Sequence, residues 1–108
     1  MKNLNQEKLN KNKKISKTLK FDNNVFLSLV CGEFDKNLKF LEDETKVEIL
    51  PRGNLISVYG DYGAVNRVYV VLQRLYESAV KNNIIDSGEV IGTLNMVKDI
   101  KNFEIEDD

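Results

Sequence analysis

The stretch that decides the fold is residues 31–54, which read CGEFDKNLKFLEDETKVEILPRGN. Its first glycine opens a short amphipathic segment, and two strand-like runs follow at residues 47–50 and 55–59. The cluster Pro51-Arg52-Gly53-Asn54 between these runs predicts a hairpin, because proline pre-sets φ for a turn while glycine and asparagine tolerate φ > 0. The stretch therefore predicts a helix followed by a β-hairpin.

Upstream of this stretch, the pattern predicts one strand and one helix. Residues 17–21 form a short edge strand, and Asn23 or Asn24 caps a helix that Gly32 ends. Asp35 is then placed to cap the second helix.

Downstream of the hairpin, two more helices are expected. Apolar residues recur at helical spacing after Asp61, which is placed as an N-cap, and Asn82 and Asn83 end this long helix. A last helix begins at Asp86 or Ser87.

The predicted order is β-α-α-β-β-α with an additional C-terminal helix. A three-stranded sheet with helices on one face follows from this order, which gives an α+β two-layer sandwich. We expect three regions along the chain: a disordered basic arm at residues 1–16, the folded domain at residues 17–100, and an acidic tail at residues 101–108.

Composition excludes several classes of function. The chain has 108 residues, no histidine and a single cysteine, Cys31. These counts exclude Ser-His and Cys-His nucleophile pairs, histidine metal sites and cysteine zinc clusters, so neither a metal nor an enzymatic activity is expected. No secretory leader or membrane-spanning segment is legible, and a lone cysteine forms no internal disulfide. We therefore expect a cytoplasmic protein.

The charge is divided unevenly along the chain. Residues 1–20 contain seven lysines and one glutamate, a net charge of +6, whereas the remainder contains nine basic and sixteen acidic residues, a net charge of −7. A basic arm on an acidic body can bind nucleic acid electrostatically. An arm rich in asparagine and lysine is also typical of a solvated, disordered terminus, and we favour this second interpretation. Both interpretations remain open.

Three motifs together resemble a known family. They are CGEFDKNL at residues 31–38, PRGN at residues 51–54 and VYGD at residues 58–61. Over residues 18–97 the chain resembles the N-terminal domain of PhoH-like proteins. The resemblance implies a fold similar to the KH domain, which in that family precedes a P-loop ATPase domain. It also implies a link to ATP binding and to RNA metabolism.

The ATPase domain of that family has no counterpart in this sequence. A P-loop needs G-x-x-x-x-G-K-[ST], in which backbone amides cradle the phosphates and a lysine reaches them. None of the six glycines here is followed by lysine. No cofactor is therefore expected for this chain, and ATP is expected only for the missing domain. The sequence is consistent with a truncated, split or decayed member of the family.

A KH domain grips the nucleic-acid backbone with a G-x-x-G loop between two helices. The corresponding loop here is Gly32-Glu33-Phe34-Asp35, in which two carboxylates repel phosphate. The structural interpretation is that Asp35 caps the second helix and Phe34 fills the core. A literal G-x-x-G at residues 60–63 lies between a strand and a helix, and it is interpreted as turn chemistry.

The candidate nucleic-acid-binding residues are Lys36, Asn37, Lys39, Lys46 and Arg52. An exposed arginine on a hairpin tip suits phosphate or carboxylate binding, although an ordinary solvated surface also explains it. We expect a non-catalytic module with one of two roles. The first is weak binding of single-stranded RNA across the first two helices and the second strand. The second is protein interaction, by docking to a P-loop ATPase domain in trans or to another partner.

Overall fold

The computed structural model describes residues 13–98, which form an antiparallel sheet and four α-helices. In chain order the elements are β1 (Lys14–Lys20), α1 (Asn24–Cys31), a 3-10 helix (Glu33–Asp35), α2 (Lys36–Thr45), β2 (Glu48–Arg52), β3 (Leu55–Asp61), α3 (Tyr62–Val80) and α4 (Ser87–Lys98). The predicted α+β class and the KH-like order β-α-α-β-β-α with an additional C-terminal helix are confirmed.

The sheet has the spatial order β1-β3-β2, and both neighbours of β3 run antiparallel to it. Leu19 of β1 lies opposite Ile56, and Ile49 of β2 lies opposite Val58. These four side chains are buried, and they alternate along each strand with more exposed residues. One face of the sheet therefore packs against the helices, as the alternation in the sequence predicts.

The first strand begins earlier than expected. Lys14 pairs with Asp61 and Ser16 with Tyr59, so residues 14–16 belong to the sheet and not to a disordered arm. The period-2 signal is weak here because only two residues of this edge strand are apolar. The rest of the predicted arm, up to residue 12, and the predicted acidic tail lie outside the described residues.

The hairpin has a two-residue turn, Gly53-Asn54, and β2 extends through Pro51 and Arg52. Gly53 has a positive φ of 61°, whereas the φ of Asn54 is not positive. This combination is typical of a type II′ turn. Two hydrogen bonds connect the turn to the segment after β1. The Asn54 side-chain amide donates to the Phe21 carbonyl at 3.0 Å, and the Phe21 N–H donates to the Asn54 carbonyl at 2.9 Å.

The starts of α1 and α4 agree with the prediction and have side-chain caps, whereas the side-chain caps predicted for α2 and α3 do not form. The Asn23 side chain accepts hydrogen bonds from the amides of Val25 and Phe26 at 2.8 and 3.1 Å, and Asp86 accepts one from Glu89 at 2.9 Å. Asp61 occupies the predicted N-cap position of α3, but its carboxylate makes no capping hydrogen bond. It accepts instead from Lys14 Nζ at 2.7 Å.

The core lies between the sheet and the helices. Its largest fully buried side chains come from every layer of the sandwich, and they are Val30, Leu41, Ile56, Val58, Val65, Val68, Val71, Leu72, Leu75, Val90 and Val97. The long helix α3 contributes more of them than any other element, which agrees with its helical spacing of apolar residues.

Candidate nucleic-acid interface

The loop between α1 and α2 is built on an unusual run of left-handed backbone. Gly32 ends α1 with a φ of 81°, and its N–H donates to the Ser28 carbonyl at 3.0 Å. Phe34 and Asp35 then have φ values of 54° and 58°. Left-handed backbone is costly for residues with a Cβ, so this loop holds its shape against a local preference.

Glycine is required at the first position of the loop. A Cβ added to Gly32 would lie 2.8 Å from Nδ2 of Asn37, and the φ of 81° is strained for any other residue. The side chain of Asn37 is fixed by hydrogen bonds and has no room to move aside. The first glycine of the G-x-x-G pattern therefore has a structural reason in this chain.

Two predictions about this loop are wrong. The Asp35 side chain makes no capping hydrogen bond to α2, because the residue is left-handed whereas N-cap residues are normally extended. Phe34 does not fill the core, since its side chain is 86% exposed. The consecutive left-handed residues turn this part of the chain outward, which presents the aromatic ring to solvent.

A shallow groove of about 210 Å³ separates this loop from the hairpin. Its lining comes from α1, the loop and the turn, and consists of Asn24, Leu27, Ser28, Cys31, Gly32, Asp35, Pro51 and Gly53. This is the part of the molecule where the first helix, the loop and the second strand meet.

The groove contains one thiol and one carboxylate, Cys31 and Asp35. Burial raises the pKa of the Cys31 thiol to about 11, and the nearby Asp35 carboxylate adds to the rise. The thiol is therefore protonated at neutral pH and is a poor nucleophile. Asp35 leaves a carboxylate on the wall, so a phosphate that enters the groove meets a like charge.

Two of the five predicted site residues lie together near this loop. Lys36 and Lys39 are exposed in the first half of α2, and their spacing of three residues makes them neighbours on one helix face.

Asn37 is not available to a nucleic acid, which corrects the prediction. Its side chain is buried, and Nδ2 donates to the carbonyls of Val30 at 3.0 Å and Ile85 at 3.4 Å. The amide thus ties α2 to the end of α1 and to the segment before α4. Asn37 therefore has a structural role on the inner face of α2.

Lys46 and Arg52 do not join the two lysines of α2 in one cluster. Lys46 follows the last turn of α2, about 15 Å along the helix from Lys36 at 1.5 Å per residue. Arg52 lies between Pro51 and Gly53, which line the groove. Strand alternation nevertheless places the Arg52 side chain on the face of the sheet that points away from the buried Ile49. Arg52 itself is not among the residues that line the groove.

Sequence reasoning missed a group of exposed apolar side chains beside the loop. Val25 is 68% exposed, Ile84 is 78% exposed, and Leu29 is about half exposed. Leu29 and Ile84 line a second depression of about 570 Å³, together with Glu33 and Lys36. The spacing of Val25 and Leu29, four residues apart and off the buried stripe of α1, is the signal that identifies them.

No family model matches the chain, and no curated protein matches it. Within residues 13–98, none of the helices combines the length and the apolar character needed to cross a membrane. The same part of the chain contains no group of three or more histidine, cysteine, aspartate or glutamate side chains that is placed to hold a metal ion.

Proposed function

We propose that this chain is a non-catalytic KH-like module of the PhoH-like type that binds single-stranded RNA weakly. The observation that carries the proposal is the backbone of Asp35, whose φ of 58° is one that glycine adopts readily. Asp35 stands at the position of the second glycine of a G-x-x-G loop. The backbone at this position therefore suits a glycine, which is the residue that a G-x-x-G loop has there.

The phosphate backbone would lie across the start of α2. The start of a helix carries partial positive charge and favours an anion, although the Lys36 amide itself already donates to the Glu33 carbonyl. Lys36 and Lys39 are exposed on that first half of the helix, and Arg52 is exposed between Pro51 and Gly53, which line the groove. Glu33 and Asp35 oppose the same phosphates, which makes the expected binding weak and strongly dependent on salt.

Fluorescence anisotropy with a labelled single-stranded oligonucleotide tests this function at low and near-physiological salt. Affinity should rise in Asp35→Gly, which removes a repelling carboxylate, and fall in Arg52→Ala. The double substitution Lys36→Ala and Lys39→Ala should also weaken binding. For every phosphate that a variant no longer binds, the slope of log K against log salt concentration should fall by about 0.7.

Lys81→Ala is the matched control, because Lys81 is an exposed lysine directly after the last residue of α3 and does not line the groove. It removes one positive charge and should leave affinity nearly unchanged. If the natural sequence binds no RNA at low salt, and Asp35→Gly gains no binding, the RNA function is refuted.

The exposed apolar group favours a second candidate function, protein docking. Val25 and Ile84 of this group, and Phe34 of the neighbouring loop, are each more than half exposed. Large exposed apolar patches are typical of protein interfaces. The partner expected from the resemblance is a P-loop ATPase domain in trans. Calorimetry with an isolated ATPase domain of a PhoH-like protein tests this, and Phe34→Ser should weaken the binding. An absence of measurable binding at tens of micromolar protein would rule out that partner.

A further inference from the structure

The face of the sheet that points away from the helices is a second surface of interest. Strand alternation assigns its residues, because Ile49, Ile56 and Val58 are buried on the other face. The open face consists of Lys14, Ser16, Thr18 and Lys20 from β1, Leu55, Ser57, Tyr59 and Asp61 from β3, and Glu48, Leu50 and Arg52 from β2.

The register of the sheet arranges these side chains in rows across the strands. One row contains Lys20, Leu55 and Arg52, so two cations flank a leucine at one end of the face. Neighbouring strands are about 4.8 Å apart, which places the backbones of these two cationic residues about 10 Å from each other. Among the described residues, neither cation forms an ion pair.

An aromatic ring and a set of hydroxyl groups occupy the middle of the face. Tyr59 is 46% exposed and lies opposite Ser16, one row beyond the pair formed by Thr18 and Ser57. The hydroxyls of Thr18 and Ser57 are 2.9 Å apart. An aromatic ring on an open sheet can stack on an unpaired base, and serine and threonine hydroxyls bind phosphate and sugar groups.

Charge complementarity identifies the kind of ligand. The two carboxylates on the face are Glu48 and Asp61, and Asp61 is neutralised by Lys14 Nζ at 2.7 Å. Lys20 and Arg52 remain to attract an anion at one end of the face, whereas Glu48, which also has no ion pair among the described residues, lies opposite Tyr59 towards the other end. The sequence that leads into β1 is also basic, with Lys11 and Lys13 directly before the strand. Apolar residues are few on this face, so a polyanion that also offers flat rings fits it better than an apolar protein surface.

We propose that this open face is a second contact surface for single-stranded RNA, with Tyr59 stacking on a base and Lys20 and Arg52 binding phosphates. The inference rests on the proposed function, because both surfaces take the same class of ligand. It differs in location, since the groove lies beside α1 and the loop whereas this face lies on the other side of the sheet. A strand of RNA can pass from one surface to the other over Arg52, which borders both.

Anisotropy titrations with Tyr59→Ala, Tyr59→Phe and Lys20→Ala test the inference. Tyr59→Ala should weaken binding about 5- to 150-fold, the range expected for the loss of one stacked base. Tyr59→Phe keeps the flat ring and should stay within about 2-fold of the natural sequence. Tyr62→Ala is the matched control, because Tyr62 is similarly exposed but opens α3, and it should change nothing.

The possible outcomes separate this inference from the proposed function. If the α2 lysine variants weaken binding and Tyr59→Ala does not, the inference is overturned and the groove remains. If Tyr59→Ala weakens binding and the α2 variants do not, the inference holds and the groove is refuted. An absence of binding by the natural sequence at low salt overturns both.

A second measurement decides the matter if Tyr59→Ala fails to fold. Amide chemical shifts of the natural chain can be followed while RNA is added. Shifts at Ser16, Ser57 and Tyr59 would support the open face. Shifts confined to Ser28 and Gly53, which line the groove, would overturn the inference.

Discussion

Replacement of Asp35 by glycine should leave the protein as stable or make it more stable. Asp35 has a φ of 58° and a ψ of 27°, and its side chain forms no capping hydrogen bond. Left-handed backbone costs an L-residue roughly 1–2 kcal/mol, with aspartate near the lower end because it tolerates this region better than most residues. Glycine avoids this cost but adds about 0.5–1 kcal/mol of backbone entropy in the unfolded chain. The net change expected in the free energy of unfolding is therefore between zero and about +1 kcal/mol.

Chemical denaturation followed by far-ultraviolet circular dichroism measures this change, and Asp35→Ala provides the control. Alanine also removes the carboxylate, but it keeps a Cβ at positive φ. We expect Asp35→Ala to be less stable than Asp35→Gly by about 1 kcal/mol or more. For a domain of this size, 1 kcal/mol corresponds to a shift of roughly 4–8 °C in Tm.

The outcome that would refute this reasoning is a clear loss of stability in Asp35→Gly. If Asp35 were a true N-cap, the natural sequence would be the most stable, Asp35→Gly would be less stable and Asp35→Ala the least stable, because glycine is a tolerated but weaker cap. The left-handed conformation predicts instead that Asp35→Gly is at least as stable as the natural sequence. The position of Asp35→Gly relative to the natural sequence therefore decides between the two accounts.

Two further predictions concern buried groups beside the loop. Asn37→Ala should lower the free energy of unfolding by about 1–3 kcal/mol in chemical denaturation, because two buried carbonyls lose their donor; a neutral effect would contradict the structural role. Cys31 should react slowly with a thiol reagent at pH 8 and rapidly once the chain is unfolded, since its pKa is raised to about 11 in the folded protein. Because the unfolded thiol releases its proton first, stability should fall as pH rises from about 9 towards 11; a flat profile would contradict the raised pKa.

The sequence predicted those parts of the fold that rest on periodicity and turn chemistry. The long apolar stripe of α3 predicted a buried helix, and the cluster at residues 51–54 predicted a hairpin. Both depend on local patterns that tertiary contacts reinforce, so the order of elements follows from them. The start of β1 was missed because an edge strand with four exposed polar residues has little apolar signal.

The site was harder to predict because it depends on backbone conformation and side-chain direction. Neither Phe34 nor Asp35 is a residue type that signals left-handed backbone as glycine does, so a cap and a core position were the natural expectations. Asn37 looked like a surface residue by type, yet it satisfies carbonyls from two other segments. The direction of Arg52 depends on where β2 ends, and β2 extends two residues beyond the predicted strand.

The order of charges along α2 links the loop to the proposed function. Lys36 and Lys39 lie near the start of the helix and Glu42 in its second half, which is the reverse of the order that the helix dipole favours. Glu42 has a structural task, since its carboxylate accepts a hydrogen bond from the Ile49 amide at 2.7 Å. No comparable contact within the described residues explains the two lysines. An anion at the start of α2 would make their position favourable, and at present the Asp35 carboxylate supplies part of that negative charge. This explains why the proposed RNA binding is weak, and why removal of that one carboxylate should strengthen it.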